Sequence, residues 1–178
     1  MAGFSPGMEG LTDRLANDLE AAFPELVAAC QDELHAGLRR LAGSPTDAAD
    51  LVQETFYRAY RALAGYPTEQ IVSLRLRPWM WTIALNLGRN HLRSRSRRPT
   101  LPLDHDQPSW DPEPADSQAW DRRLRFLSPP GRKAVVLRHA AGLDFADIAE
   151  LLGRPEATVR SDVSRALQKL RTIIEEEK

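Results

Sequence analysis

Two helical hydrophobic patterns, separated by a three-residue turn, lie between Phe145 and Arg171 and constrain the fold more than any other stretch. Apolar residues recur at helical spacing on both sides of the turn, residues 153–155. A short turn between two amphipathic helices is typical of a helix-turn-helix. The alternative for this stretch alone is an antiparallel helical hairpin with a solvated polar face. Side chains on the outward face of the second helix can reach phosphates and base edges in a major groove; they are Glu156, Arg160, Ser161, Ser164, Arg165 and Gln168.

Composition excludes several classes of protein. The chain has 178 residues, 42% of them hydrophobic, and no apolar run approaches the roughly 20 residues of a membrane span. The N-terminus lacks the basic and then apolar segments of a secretory signal, so we expect a cytoplasmic protein without membrane insertion. Cys30 is the only cysteine, so neither an internal disulfide nor a cysteine-based zinc site can form. We expect no metal and no cofactor.

The distribution of charge matters more than the net charge of −1. Residues 86–98 contain five arginines and no acidic residue, whereas residues 101–121 contain six acidic residues and no lysine or arginine. The basic block can lie against phosphate. The acidic block is rich in proline and poor in aliphatic residues, which is typical of an extended linker.

The periodicity predicts an all-α fold of two small helical domains joined by a Pro-rich acidic linker. The predicted boundaries are 1–98, 99–121 and 122–178. In the first domain, helices are predicted from Leu19, Pro45 and Pro78, while residues 1–18 show little pattern and are expected to fray. The third helix presents one polar face, formed by Asn86, Arg89, Asn90 and Arg93.

The second domain is predicted to contain four helices. A short helix begins at Asp121, and the next is capped by Ser128 and stopped by Gly142. The last two form the helix-turn-helix. Four helices in fewer than sixty residues suit a small domain with short connections.

Two stretches resemble one family. Residues 47–63, DAADLVQETFYRAYRAL, look like the helix of bacterial sigma factors that binds core RNA polymerase. Residues 127–171 resemble the C-terminal promoter-binding domain of the same family. A chain this short is similar to the extracytoplasmic-function (ECF) group. The resemblance covers about residues 20–174. It implies a sigma factor that recognises minus-35 and minus-10 promoter elements and promotes strand opening, without chemistry of its own.

The resemblance also implies three sets of site residues. The core-polymerase-binding set is Asp50, Gln53, Glu54 and Arg58. The minus-10 set, which faces single-stranded DNA, is Trp79, Asn86, Arg89, Asn90 and Arg93. The minus-35 set, which faces duplex DNA, is Glu156, Arg160, Ser161, Ser164 and Arg165. An anti-sigma protein is a further implied partner, and the acidic linker is expected to thread into a basic channel of the polymerase or to act as a simple spacer.

Two features depart from the family pattern. The loop 66–77 corresponds to the loop that captures a flipped base, but TEQIVSLRLRP replaces a short Gly/Ser-rich connection, so the captured base is not predicted. Many relatives carry a basic residue where this chain has Asp162. The carboxylate either points away from DNA or accepts a hydrogen bond from a cytosine amino group.

Two other classes of function make different demands on the sequence. A stand-alone helix-turn-helix regulator would use the C-terminal domain alone, as a dimer on paired half-sites. An enzyme is not expected, because the four histidines show no ligand spacing and the chain has no Gly-rich phosphate loop or nucleophile motif.

Overall fold

The computed structural model describes residues 8–42, 45–95 and 115–177, with side chains described in these ranges except at 91–95 and 115–117. Every secondary-structure element in these ranges is an α-helix, so the all-α prediction is confirmed. The helices are α1 (Leu11–Asn17), α2 (Leu19–Ala42), α3 (Pro45–Gly65), α4 (Thr68–Val72), α5 (Leu76–Arg95), α6 (Ala115–Arg125), α7 (Pro129–His139), α8 (Phe145–Leu152) and α9 (Glu156–Glu176).

Helices α2, α3 and α5 pack on one another to form the core of the N-terminal half. Helices α2 and α5 approach each other closely at Gly37 of α2, because the Trp81 ring of α5 lies directly above this glycine. A Cβ atom at Gly37 would lie 3.0 Å from Cζ2 of Trp81 and closer still to Cη2. Trp81 is fully buried. It therefore belongs to the core, whereas Trp79 is only partly buried.

The expectation that residues 1–18 are frayed is wrong for α1. Leu11 and Leu15 lie on one face of this helix and are buried against α2 and α4. One pair of leucines four residues apart is too short a pattern to identify a helix from sequence. Tertiary packing stabilises it instead.

The C-terminal half is built around the contact of α7 with α9. Ser128 caps α7, and its side chain accepts a hydrogen bond from the Gly131 amide at 3.3 Å. Asp144 caps α8 in the same way and accepts from the Asp147 amide at 2.7 Å. Gly153 ends α8 with a φ of 62°, a left-handed conformation that glycine adopts without strain.

Helix α6 begins at Ala115 rather than at the expected Asp121. The last part of the predicted linker is therefore helical, and the rest of it, 99–114, lies outside the described residues. Leu167 is one of the apolar residues that recur at helical spacing after the turn, but it is 42% exposed and not buried with the rest of the apolar stripe of α9.

The two halves contact each other through α2 with α7 and through α5 with α8. Arg39 and Asp121 form an ion pair across this contact, with 3.0 Å between Nη2 and Oδ2. Arg75 forms a second one with Asp144 and Asp147. None of the described helices is both long and apolar enough to span a membrane.

Candidate nucleic-acid interface

The outward face of α9 presents the side chains that the sequence assigns to duplex DNA. Arg160 and Arg165 have side chains that are 59% and 71% exposed, and Ser161 and Ser164 are exposed beside them. The opposite face of α9 is buried through Val159, Val163, Ala166 and Leu170. The helical period therefore separates one core face from one free polar face.

Arg160 is held by two neighbours while its side chain stays exposed. It forms an ion pair with Glu156 one turn earlier, in which Nε donates to Oε1 at 3.0 Å. Its guanidinium also lies 4.4 Å from the ring centroid of Phe145 on α8, a cation–π geometry. Glu156 therefore positions Arg160 on the exposed face of α9.

Asp162 does not lie on the exposed face. Its side chain is 10% exposed and pairs with Arg154 in the turn and with Arg165, whose Nη2 donates to Oδ1 at 2.8 Å. The carboxylate therefore points away from the exposed polar face of α9. Asp162 ties the turn to α9 and restrains Arg165.

The polar face of α5 is exposed at Asn86, Arg89 and Asn90. The side chain of Arg93 lies outside the described residues. Trp79, at the other end of the predicted minus-10 set, packs against Tyr66 with 6.2 Å between ring centroids. The described part of the set thus forms a strip along α5 with a partly buried aromatic residue near its start.

The exposed face of α3 contains the four residues predicted to contact polymerase. Asp50 and Gln53 are exposed, and Nε of Arg58 donates to Oε1 of Glu54 at 2.6 Å. Tyr57 lies beside them and is 57% exposed. The sequence prediction selected only polar residues on this face and therefore missed Tyr57, although its position next to Arg58 was a usable signal.

The loop 66–77 contains the short helix α4. Ile71 of its apolar patch is buried, and α4 packs on α1, while Val72 remains 43% exposed. The patch thus forms a helical turn on the surface of the N-terminal half. Beyond it, Arg75 forms the ion pair with α8.

Two carboxyl groups outside the predicted sets, those of Glu33 and Asp147, are buried or partly buried. Glu33 on α2 pairs with Arg77 at 3.1 Å, and burial raises the pKa of its carboxyl while Arg77 opposes the rise. Burial likewise raises the pKa of Asp147, and Arg75 opposes that rise. Within the described ranges, no group of three or more His, Cys, Asp or Glu side chains is placed to hold a metal ion.

A helix-turn-helix with an exposed polar recognition face, joined to a second helical half with its own exposed basic strip, is typical of helical DNA-binding proteins. Comparison with protein families is more specific. Residues 26–98 match the model for Sigma-70 region 2, and residues 117–170 match the model for Sigma-70, region 4.

The chain is similar to curated sigma factors along most of its length. It is 36% identical over 168 residues to the ECF RNA polymerase sigma factor SigE of Mycolicibacterium smegmatis, covering 85% of this chain and 62% of that protein. It is 30% identical over 184 residues to the ECF RNA polymerase sigma-E factor of Haemophilus influenzae, covering 94% of this chain and 95% of that protein. The chain therefore belongs to the ECF group of RNA polymerase sigma factors.

The fold is similar to a solved sigma factor. The sigma factor RpoE from Bartonella quintana, solved in complex with the anti-sigma factor NepR, superposes with a TM-score of 0.69 at 24% identity. The superposition covers 91% of this chain and 99% of that one.

Proposed function

We propose that this chain binds core RNA polymerase, directs it to promoters by recognising minus-35 and minus-10 elements, and promotes opening of the DNA strands. The observation that carries this proposal is that one chain matches both sigma-70 region 2 and region 4. A single recognition helix would serve any regulator. The half of the chain that matches region 2 would have a role only in a protein that binds RNA polymerase.

We assign residues 1–98 to core and minus-10 binding, 99–121 to the linker and 122–178 to minus-35 binding. Because α6 begins at Ala115, its first turns extend the C-terminal half into the assigned linker. The two ranges that match the family models, 26–98 and 117–170, support two domains, and the second range begins before residue 122.

We assign recognition of the minus-35 element to α9. A guanidinium can donate two hydrogen bonds to the O6 and N7 atoms of guanine, which is worth about 1–3 kcal/mol of discrimination. Arg160 and Arg165 are exposed on this face and already restrained by Glu156 and Asp162. Restraint before binding lowers the entropy lost when the complex forms.

We assign recognition of the minus-10 element to the strip on α5. Unpaired bases expose their Watson–Crick edges, which the side-chain amides of Asn86 and Asn90 can read. Arg89 lies on the same strip and can hold the backbone. Trp79 offers an aromatic ring for stacking near the start of the helix. Binding to the single strand, but not to the duplex, stabilises the opened state.

We assign the binding of core polymerase to the exposed face of α3. Asp50, Gln53, Glu54 and Arg58 form a patch of mixed charge, and complementary charges across an interface fix its register. Tyr57 adds an exposed aromatic ring, a residue type that is enriched at interfaces. We include Tyr57 in the proposed surface.

An anti-sigma protein is the third proposed partner. The structural relative from Bartonella quintana was solved with such a factor. A candidate anti-sigma protein should form a stoichiometric complex with this chain and compete with core polymerase. A complex that leaves core binding unchanged would argue against this part of the proposal.

Reconstituted transcription tests the proposed function. Core polymerase is combined with the purified chain on fragmented genomic DNA, and the 5′ ends of the transcripts are sequenced. We expect starts clustered downstream of a shared pair of sequence elements, with no such cluster from core alone. Random starts would contradict the proposal. Tight binding of the chain alone to palindromic duplex DNA would favour a stand-alone regulator instead.

A further inference from the structure

A groove of about 460 Å³ lies between the two halves of the chain. Helix α2 forms one wall with Ala36 and Arg40, and helices α6, α7 and α9 form the others. None of the lining residues belongs to the three surfaces proposed for DNA and polymerase. Pockets that hold small molecules in proteins have volumes of about 300–1,000 Å³. The groove is therefore large enough for a small ligand, and the proposed function leaves it without a role.

The walls of the groove are mainly aliphatic. Leu124 of α6, Val136 of α7 and Leu170 of α9 are buried side chains that line it. Trp120 and Leu167 line it as well, and they remain 39% and 42% exposed. Large apolar side chains that stay exposed around one groove are typical of a binding surface.

Two basic residues, Arg40 and His139, are the only lining residues with ionisable side chains. Nη1 of Arg40 donates to the Ala36 carbonyl at 2.8 Å, and Arg40 forms no ion pair with a carboxylate in the described part of the chain. Burial lowers the pKa of the Arg40 guanidinium, and the charge of Asp121 opposes this change. Asp121 does not line the groove and is bound by Arg39 at 3.0 Å. The groove therefore contains a partly desolvated cation and no anion.

The chemistry of these two residues favours an anionic ligand. A partly buried charge is stabilised by an opposite charge that shares its site, and a guanidinium binds a carboxylate through strong charge-assisted hydrogen bonds. Burial and the charge of Arg138 lower the pKa of His139, so its imidazole is mainly neutral at pH 7 and offers one N–H donor. A carboxylate can accept from both side chains.

The rest of the ligand must be apolar. Apart from Arg40 and His139, the only polar group on the lining side chains is the indole N–H of Trp120. A ligand with many polar groups would leave most of them without hydrogen-bond partners, which costs free energy. An alkyl chain with one terminal carboxylate has no other polar group and matches the aliphatic walls.

We propose that the groove between the two halves binds a free fatty acid, with its carboxylate on Arg40 and His139 and its alkyl chain along α6, α7 and α9. The inference does not rest on the proposed function, because no residue of the DNA or polymerase surfaces takes part. The bound molecule contacts α2 in one half and α7 in the other, so it adds contacts between the halves.

Isothermal titration calorimetry of the full chain with dodecanoate, below its micelle concentration, tests the proposal. Dodecyltrimethylammonium and dodecyl maltoside carry the same alkyl chain with a cationic and a neutral head group. We expect saturable binding of one dodecanoate per chain and much weaker binding of the other two. Equal binding of all three would contradict a site built around Arg40.

Vesicles of phosphatidylglycerol present an anionic group and alkyl chains on a membrane surface. We expect the chain to bind dodecanoate and to leave such vesicles unbound in a flotation assay. Binding to vesicles without binding to dodecanoate would overturn the proposal, because the groove would then belong to a surface for lipid membranes.

Arg40→Met removes the charge and keeps an unbranched side chain. It should weaken dodecanoate binding about tenfold, because a hydrogen bond to a charged group is lost. Leu167→Glu places a repelling carboxylate at the groove on a side chain that is already partly exposed, and it should also weaken binding. Arg122→Met is the matched control, because Arg122 is exposed on α6 and does not line the groove.

Thermal unfolding followed by circular dichroism gives a second readout and checks that each variant folds. A ligand that binds only the folded state raises Tm. Dodecanoate should therefore raise Tm of the parent chain and of Arg122→Met, and raise it less in Arg40→Met and Leu167→Glu. A lowered Tm in the parent chain would show detergent action and would contradict the site, as would equal dodecanoate affinity in all four proteins. Neither readout involves transcription, so a failure of the proposed function would be seen separately.

Discussion

The contacts of Arg160 show how neighbouring residues orient a side chain on the face of α9 that is proposed to recognise DNA. Its guanidinium is held by Glu156 and by the ring of Phe145, yet most of the side chain is exposed. These neighbours fix the direction of the donor groups before DNA arrives. A side chain that is already oriented loses less conformational entropy on binding. We therefore expect Arg160 to contribute to recognition of the minus-35 element, and not to the affinity for DNA in general.

Arg160→Ala should weaken use of the minus-35 element. Loss of a bidentate contact with guanine costs about 1–3 kcal/mol, or roughly fivefold to 150-fold in discrimination. We expect a flattened response across promoters that vary at minus-35 and a normal response across promoters that vary at minus-10. Reconstituted transcription on the two panels measures this. Arg171→Ala, an exposed change later in α9, is the control, and equal losses on both panels would contradict the assignment.

Glu54→Arg should weaken binding to core polymerase without unfolding the chain. Glu54 is 42% exposed and pairs with Arg58 of its own helix, so the substitution creates one repulsive i,i+4 pair worth a few tenths of a kcal/mol. Reversal of charge within a complementary interface costs more, and we expect about a tenfold loss of affinity, or ~1.4 kcal/mol.

Fluorescence anisotropy with labelled chain and unlabelled core measures the affinity, and circular dichroism checks the fold. Glu69→Arg on α4 makes the same change of charge at an exposed position away from α3. Core affinity that is the same in the Glu54 variant and in the parent would remove Glu54 from the interface.

At the scale of helices, the packing of α5 on α2 depends on the absence of a side chain at Gly37. Gly37→Ala should destabilise the N-terminal half by about 1–3 kcal/mol, because the new methyl group overlaps the buried Trp81 ring. Gly88→Ala is the matched control in α5. No atom of the described residues lies within 4 Å of its Cβ position, so it should stabilise the helix by about 0.5–1 kcal/mol. Urea unfolding followed by tryptophan fluorescence measures both, and a neutral Gly37→Ala would mean that Trp81 can move aside.

The helices that could be predicted from sequence are those with long patterns or clear caps. Helices α3, α7 and α8 have apolar faces and end signals that local rules identify, such as Ser128 and Gly153. Helix α1 and the first turns of α6 lack such patterns. The helical period places Leu167 on the apolar stripe of α9. Leu167 is nevertheless partly exposed, because it lies beside the groove between the two halves.

At the scale of the whole molecule, sequence patterns could not predict how the halves meet. Arg39 reads as one of many helix-surface arginines, yet its side chain is 7% exposed and pairs with Asp121. Asp147 reads as a favourable acid in the first turn of α8, yet it is buried against Arg75. Such pairs follow from tertiary structure, and no local rule connects residues so far apart. The exposed faces were predictable because each depends on a single helix.

The proposed separate reading of two promoter elements by two halves has a measurable consequence for the whole chain on polymerase. Asn86 and Arg165 lie in different halves and share no partner, so their substitutions should act independently. In a double-mutant cycle on open-complex formation, we expect Asn86→Ala and Arg165→Ala to add within about 0.5 kcal/mol. Asp162→Ala with Arg165→Ala is the internal comparison, because Nη2 of Arg165 donates to Oδ1 of Asp162 at 2.8 Å, so each substitution removes one partner of the same side-chain contact. That pair should be non-additive. Strong coupling between Asn86 and Arg165 would mean that the halves bind the promoter as one body, which would contradict separate reading of the two elements.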